Sequence, residues 1–216
     1  MTRLVVFDLD GTLVDSRRDL AESANTVLAE CGCGPLAEAS VGRLVGDGAA
    51  TLVARAFAAA GCPPPPNALE RFLAVYDERL LKWTAPYPGA HETLAELGAR
   101  LMLAVLTNKP LQATRRILAG LDLARYFPEA CVVGGDGPFP RKPDPAGLQH
   151  LAAVAGVPPG DVLLVGDSII DWRTARAAGA RACVARYGFG FEGFPVGDLG
   201  PDDQVVDDMT ALLALL

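Results

Sequence analysis

A short apolar run, Leu4-Val5-Val6-Phe7, ends in Asp8-Leu9-Asp10-Gly11-Thr12. An uninterrupted apolar stretch of this length reads as a strand buried on both faces, which a parallel sheet sandwiched between helices provides. The two carboxylates are spaced i, i+2, so an extended chain sends both side chains the same way. Like charges gathered at a strand end are costly unless a cation sits among them. Mg²⁺ suits that position, being a hard cation served by one or two carboxylates together with substrate phosphate.

The rest of the chain repeats the theme after an interruption. From about residue 85, short apolar runs alternate with helical patterns. Strands are expected over 101–106, 131–133, 162–165, 182–185 and 204–206, with helices over 110–120, 145–156 and 172–178 and another at the C-terminus. Between residues 17 and 84 the periodicity is helical throughout. Leu20, Ala24, Val27 and Leu28 make one helical face, and Phe72, Leu73, Tyr76 and Leu80 belong to another. Ser16 with Asp19 looks like a helix-opening pair, and Asn67 with Glu70 like a second. The four consecutive prolines 63–66 read as a stiff connector. The expected fold is therefore α/β, a doubly wound, Rossmann-like parallel sheet with an inserted helical cap. Residues 1–16 and 85–216 would form the core and 17–84 the cap, joined by linkers near Asp15-Ser16 and residues 86–89.

Polar residues collect where the strands end. The first strand leads to Asp8 and Asp10, and the second to Thr107-Asn108-Lys109. Arg141-Lys142-Pro143-Asp144-Pro145 follows the third, and Gly166-Asp167-Ser168 with Asp171 follows the fourth. Ligands of open parallel sheets bind outside the carboxyl ends of the strands, so these groups should meet in one crevice. Carboxylates, a hydroxyl, an amide and lysines in one crevice suit a divalent metal and a phosphoryl group. Asp144 before Pro145 is expected to cap a helix, and His91 and His150, on helices away from the strand ends, to carry no chemistry.

Composition bounds the partners. The 216 residues carry 19 Lys and Arg against 26 Asp and Glu, a net charge of −7. That balance argues against nucleic acid or an anionic membrane as the main partner, yet permits a small anionic substrate beside a bound metal. No apolar stretch reaches the roughly 18 residues of a membrane helix. The strand starts directly after Met1-Thr2-Arg3, so no signal peptide is expected, and the chain reads as cytoplasmic. The five cysteines, odd in number and without the second pair of a zinc site, are expected as reduced thiols.

Phe7-Asp8-Leu9-Asp10-Gly11-Thr12, Leu106-Thr107-Asn108, Lys142-Pro143 and Gly166-Asp167-Ser168-Ile169-Ile170-Asp171 resemble, in order, the four motifs of the haloacid dehalogenase-like superfamily. Gly42–Ala49, Asn108-Lys109-Pro110, residues 132–136 and Lys142–Pro145 are similar to the phosphoglycolate phosphatases within it. The resemblance implies a Mg²⁺-dependent phosphomonoesterase working through an aspartyl-phosphate, with a small phosphorylated metabolite as partner and a monomer or homodimer as assembly. Asp8 would be the nucleophile and Asp10 the acid and base. Asp8 and Asp167 would bind Mg²⁺ by side chain and Asp10 by its backbone carbonyl. Thr107 and Lys142 would hold phosphoryl oxygens, and Asn108 would also contact the substrate. Ser168 and Asp171 would stand behind them, Asp171 either orienting Lys142 or metal-bound water or simply serving as a first-turn acid of its helix. In the cap, Gly46 and Gly48 would approach the rest of the substrate, and Arg43 would either pair with a small carboxylate or be an ordinary surface arginine. 2-Phosphoglycolate is the expected substrate. A sugar phosphate or nucleotide, a phosphoglucomutase-like reaction, and a catalytically silent binding protein on the same fold are the alternatives.

Overall fold

The first strand lies at the centre of a six-stranded parallel sheet, and the computed structural model describes the whole chain, residues 1–216. In chain order the elements are β1 (Leu4–Phe7), β2 (Val14–Asp15), α1 (Arg17–Glu30), α2 (Glu38–Gly42), α3 (Ala49–Ala59) and α4 (Ala68–Arg79). There follow β3 (Ala85–Pro86), α5 (Ala90–Gly98), β4 (Met102–Leu106), α6 (Leu111–Gly120), β5 (Val132–Val133) and α7 (Ala146–Ala155). The chain closes with β6 (Val162–Gly166), α8 (Ile169–Ala178), β7 (Arg181–Ala185), β8 (Gln204–Val206) and α9 (Leu212–Leu215). The sheet order is β5-β4-β1-β6-β7-β8, with Phe7 opposite Val105 on one side and Val165 on the other.

Alternation along these strands shows why they had to be apolar at every position. Val5, Phe7, Leu103, Val105, Leu163 and Val165 enter one buried cluster, while Leu4, Val6, Ala104, Leu106, Val162 and Leu164 enter another. Each face of the sheet thus has its own core, as a period of two requires. No helix is long and apolar enough to cross a membrane.

Segment 17–84 contains α1 to α4 and leaves the core through β2 and returns through β3. These two-residue strands pair antiparallel, Val14 opposite Pro86 and Asp15 opposite Ala85, so the exit and return of the segment are tied together. Two expectations about this region change. Ser16 does precede α1, but its hydroxyl donates to Asp10 rather than to the helix. Asp19, fully buried, does not reach back to Ser16. Its Oδ2 accepts from the Trp83 and Thr84 N–H groups at 2.9 and 2.7 Å and from the Thr84 hydroxyl at 2.8 Å, pinning the returning linker to α1.

The cysteines need a correction as well. Cys33 and Cys62 form a disulfide with Cα atoms 6.3 Å apart, and only Cys31, Cys131 and Cys183 are free thiols. The pairing follows from two alike helix ends. After α1 the chain turns at Gly32 (φ 72°) and Cys33 N–H returns to Leu28 O. After α3 it turns at Gly61 (φ 70°) and Cys62 N–H returns to Phe57 O. Both cysteines hold the same place in a glycine-ended helix stop.

Candidate active site

Because the strands are parallel, their carboxyl ends share one edge, and the predicted polar groups gather there. Lys142, on the loop between β5 and α7, places Nζ 2.9 Å from Asp8 Oδ1 and donates to Asp171 Oδ1 at 2.5 Å. Asp171 Oδ2 accepts from the Ser168 hydroxyl at 2.6 Å and its N–H at 3.1 Å. Asp171 thus lies in the first turn of α8 and is hydrogen-bonded to Lys142 from there. Asp167 Oδ2 accepts the Gly190 N–H at 2.7 Å.

Ligand oxygens of Asp8, Asp167 and Asp171 lie within 4.8 Å of one another. Three buried carboxylates face one buried ammonium, an excess of negative charge in a place water cannot screen. Burial pushes the Asp8 carboxyl from 3.8 up to about 6, with Asp171 and Asp10 adding to the rise and Lys142 opposing it. Asp167 is driven well above the usual carboxylate range, first by burial and then by Asp171 and Asp8. Burial would discharge Lys142, but Asp171 and Asp8 outweigh it and hold the ammonium charged. Asp8 Oδ1, though near Lys142, lies off hydrogen-bond direction and accepts from no other group. An oxygen-only donor set, an excess of anionic charge and an acceptor without a donor fit a hard divalent cation.

Asp10 keeps different company. The chain leaves the strand after Phe7 and turns at Gly11 (φ 86°), so the i, i+2 spacing does not leave the carboxylates side by side on one cation. Lys109 Nζ donates to Asp10 Oδ1 and Oδ2 at 3.1 and 3.0 Å, and Ser16 Oγ to Oδ1 at 2.5 Å. Lys109 also donates to the Tyr76 hydroxyl at 2.6 Å and sits 4.5 Å from that ring. Burial opposes its charge, yet Asp10 and Tyr76 raise the pKa above the ordinary value for lysine.

A cavity of about 340 Å³ opens over these groups. Asp8, Asp10, Thr107, Asn108, Asp167 and Ser168 line its floor, and Leu52, Phe72 and Tyr76 its apolar wall, with Gly46 and Gly48 alongside. Asn108 is a clamp: its Nδ2 donates to Gly46 O at 2.8 Å and Lys142 O at 2.9 Å, while its Oδ1 accepts the Lys142 N–H at 2.8 Å. Arg43 does not line the cavity; its guanidinium pairs with Glu192 at 3.1 Å and Ser40 at 3.0 Å. Asp144 accepts the Ala146 N–H at 2.9 Å at the start of α7, as a cap should. His91 lies against Tyr126 and His150 against Phe139, outside the cavity.

Sequence reasoning placed Lys109 in the crevice but gave it no partner, and it missed two participants. Tyr76 reads as one more apolar position of α4. The other is the loop Gly188-Phe189-Gly190 after β7, where a Cβ at Gly188 or Gly190 would press on Asp167. A Gly-x-Gly after a parallel strand was the available signal.

Residues 5–185 match the family model of the haloacid dehalogenase-like hydrolases. The chain is 46% identical to the phosphoglycolate phosphatase of Rhodospirillum rubrum, an alignment covering 98% of this chain and 90% of that protein. Identity to the phosphoglycolate phosphatase of Pseudomonas savastanoi pv. phaseolicola is 40%, covering 99% and 79%. Among solved structures, a predicted phosphoglycolate phosphatase from Haemophilus somnus 129PT superposes with a TM-score of 0.90 at 32% identity, covering 99% of this chain and 97% of the other.

Proposed function

The chain belongs to the haloacid dehalogenase-like hydrolases, and on that premise we propose that it is a Mg²⁺-dependent phosphomonoesterase whose substrate is 2-phosphoglycolate. One observation carries the chemistry: Asp8, Asp167, Asp171 and Lys142 form a buried cluster beside Thr107 at the carboxyl edge of the sheet. The substrate rests on the relatives named phosphoglycolate phosphatase.

Asp8 attacks phosphorus, the bond to the alkoxide breaks, and an aspartyl-phosphate forms. Asp10 gives its proton to the departing alkoxide, then takes one from the water that attacks the intermediate, so that phosphate leaves and the Asp8 carboxylate returns. Lys142 offsets charge on Asp8 and the phosphoryl oxygens, and the Thr107 hydroxyl holds one of those oxygens. Asp8, Asp167 and the Asp10 carbonyl hold Mg²⁺. When bound, Mg²⁺ neutralises phosphoryl charge and helps align attack in line. Asp171 and Ser168 orient Lys142. Residues 1–16 and 85–216 act as the catalytic core, and 17–84 as a cap that excludes water and lays Gly46 and Gly48 over the cavity.

Phosphate release with Mg²⁺ across small phosphomonoesters, with Asp8→Asn as control, tests the reading. 2-Phosphoglycolate should lead sugar phosphates and nucleotides by about tenfold or more in kcat/KM, roughly 1.4 kcal/mol of discrimination. Equal cleavage of all esters would remove the substrate claim and leave the phosphatase. Turnover untouched by Asp8→Asn would remove both.

A further inference from the structure

Lys109 is the one cation lining the cavity, and the chemistry assigned above gives it no part. Its side chain is 4% exposed and that of Asp10 11%. An ammonium has three protons to donate, and here the acceptors are both Asp10 oxygens and the Tyr76 hydroxyl. A carboxylate has about four lone-pair positions. Oδ1 of Asp10 accepts from Ser16 and Lys109, whereas Oδ2 accepts from Lys109 alone. Two contacts to Oδ1 and one to Oδ2 define the plane of the carboxylate and leave Oδ2 the oxygen with room for a further partner.

A buried ion pair often does no more than satisfy its own charges. Two features separate this one from that case. It lies in the cavity wall at the acid and base, and its third donor crosses to α4, an element of segment 17–84. Tyr76 is itself fixed by stacking on Phe72, ring centroids 5.8 Å apart.

We propose that Lys109 is a positioning residue for Asp10 and that Tyr76 completes it, so that Asp10 Oδ2 is aimed at the leaving oxygen only when α4 is seated over the sheet. The proposal rests on the phosphomonoesterase reading. In the first step the proton on Oδ2 passes to the alkoxide oxygen as its bond to phosphorus breaks. In the second, Oδ2 takes a proton from water as the water oxygen bonds to phosphorus and the Asp8–phosphorus bond breaks. Both transfers depend on where Oδ2 points, and neither requires Lys109 to touch substrate.

The test compares Lys109→Met and Tyr76→Phe with the parent protein, with Mg²⁺, on 2-phosphoglycolate, ethyl phosphate and p-nitrophenyl phosphate. The two alkyl esters release poor leaving groups that need a proton, whereas nitrophenolate departs without one. For Lys109→Met, kcat on both alkyl esters should fall by about tenfold or more. KM should move by less than about threefold, and so should the first-turnover burst of nitrophenolate. Tyr76→Phe, which keeps the ring and loses only the hydroxyl, should show the same pattern with a smaller fall. It also carries the test if Lys109→Met does not fold.

A fall confined to 2-phosphoglycolate would overturn the proposal by making Lys109 a ligand of the substrate carboxylate. An equal fall on all three, burst included, would overturn it by assigning Lys109 to phosphoryl binding or to the integrity of the site. Unchanged kinetics in both variants would reduce the contact to a structural ion pair. Failure of the underlying reading looks different, since Asp8→Asn would then keep its turnover.

Discussion

Asp8 and Asp10, two residues apart in sequence, each take a lysine from a different loop, and that division sets what each can do. Asp8 shares Lys142 with Asp171 and faces Asp167, so burial and like charge raise its pKa to about 6 from 3.8. A carboxyl raised in the folded state contributes stability that is fully present below the unfolded value and lost as pH rises through the folded one. The protein without divalent cation should therefore lose stability from this source between about pH 4 and pH 6. The rise in Tm on adding Mg²⁺ should grow across the same window, because the cation binds the ionised cluster. Thermal melts with and without Mg²⁺ at several pH values check this, and a pH-independent rise would contradict it. Asp19 offers a second case, away from the chemistry. Asp19→Ala strands the Trp83 and Thr84 donors, and we expect a loss of about 3 kcal/mol in denaturant unfolding; a loss under about 1 kcal/mol would mean that water replaces the carboxylate. Asp8, Asp10, Lys142, Asp167 and Asp171 were legible because each follows an apolar strand whose end the parallel sheet delivers to a common edge. Lys109 was placed at the same edge, but its partner Tyr76 was not legible. The two meet across 33 residues, and periodicity within α4 assigns Tyr76 only to an apolar face, with no word on its hydroxyl.

At the level of elements, what carried a strong repeating pattern was readable and what lacked one was not. The strands of the sheet announced themselves by uninterrupted apolar residues, and their observed limits differ from the expected ones by a residue or so, as at β4 and β7. The β2–β3 pair has two residues on each side, too few for any alternation to register, yet it closes the base of segment 17–84. The disulfide was hidden for a related reason. Its placement depends on two helix stops lying side by side, and odd cysteine count in an otherwise cysteine-poor chain pointed to free thiols. The bond closes a loop of 29 residues between the ends of α1 and α3. In the chain-entropy account such a loop contributes roughly 3–4 kcal/mol. Thiol titration of the unreduced, unfolded protein should give the three free cysteines, Cys31, Cys131 and Cys183. In the native protein Cys31, the exposed one, should react first, while burial pushes the Cys183 thiol up to about 12 and protects it. Five titratable thiols after unfolding would show that Cys33 and Cys62 are not bonded.

Across the whole molecule, the question is which contacts hold segment 17–84 against the sheet. Some are exposed ion pairs: Arg43 with Glu192, side chains 43% and 66% exposed, and Arg116 with Asp77. Pairs of this kind contribute about 0–1 kcal/mol each and weaken with salt. Others lie inside the cavity, the Tyr76–Lys109 hydrogen bond and the Asn108 amide on Gly46 O. Buried hydrogen bonds to a charged donor are worth more, about 1.5–3 kcal/mol, so the inner contacts should decide whether the segment stays seated. The covalent path between the two parts is short, since β2 and β3 pair where the segment leaves and returns. Helices α1 to α4, packed on one another and covalently continuous with the core only beside that pair, should then move as one body about it. Hydrogen exchange with Mg²⁺ and orthovanadate, a phosphoryl mimic, reads this directly. Protection should rise at residues 14–16 and 84–87 and on the cavity side of α4 around Tyr76, with the interiors of α1 and α3 unchanged. Asp77→Asn with Glu192→Gln should leave that pattern in place, while Tyr76→Phe should weaken it. If the surface pair alone abolishes the protection, the outer ion pairs hold the segment and the inner contacts merely follow.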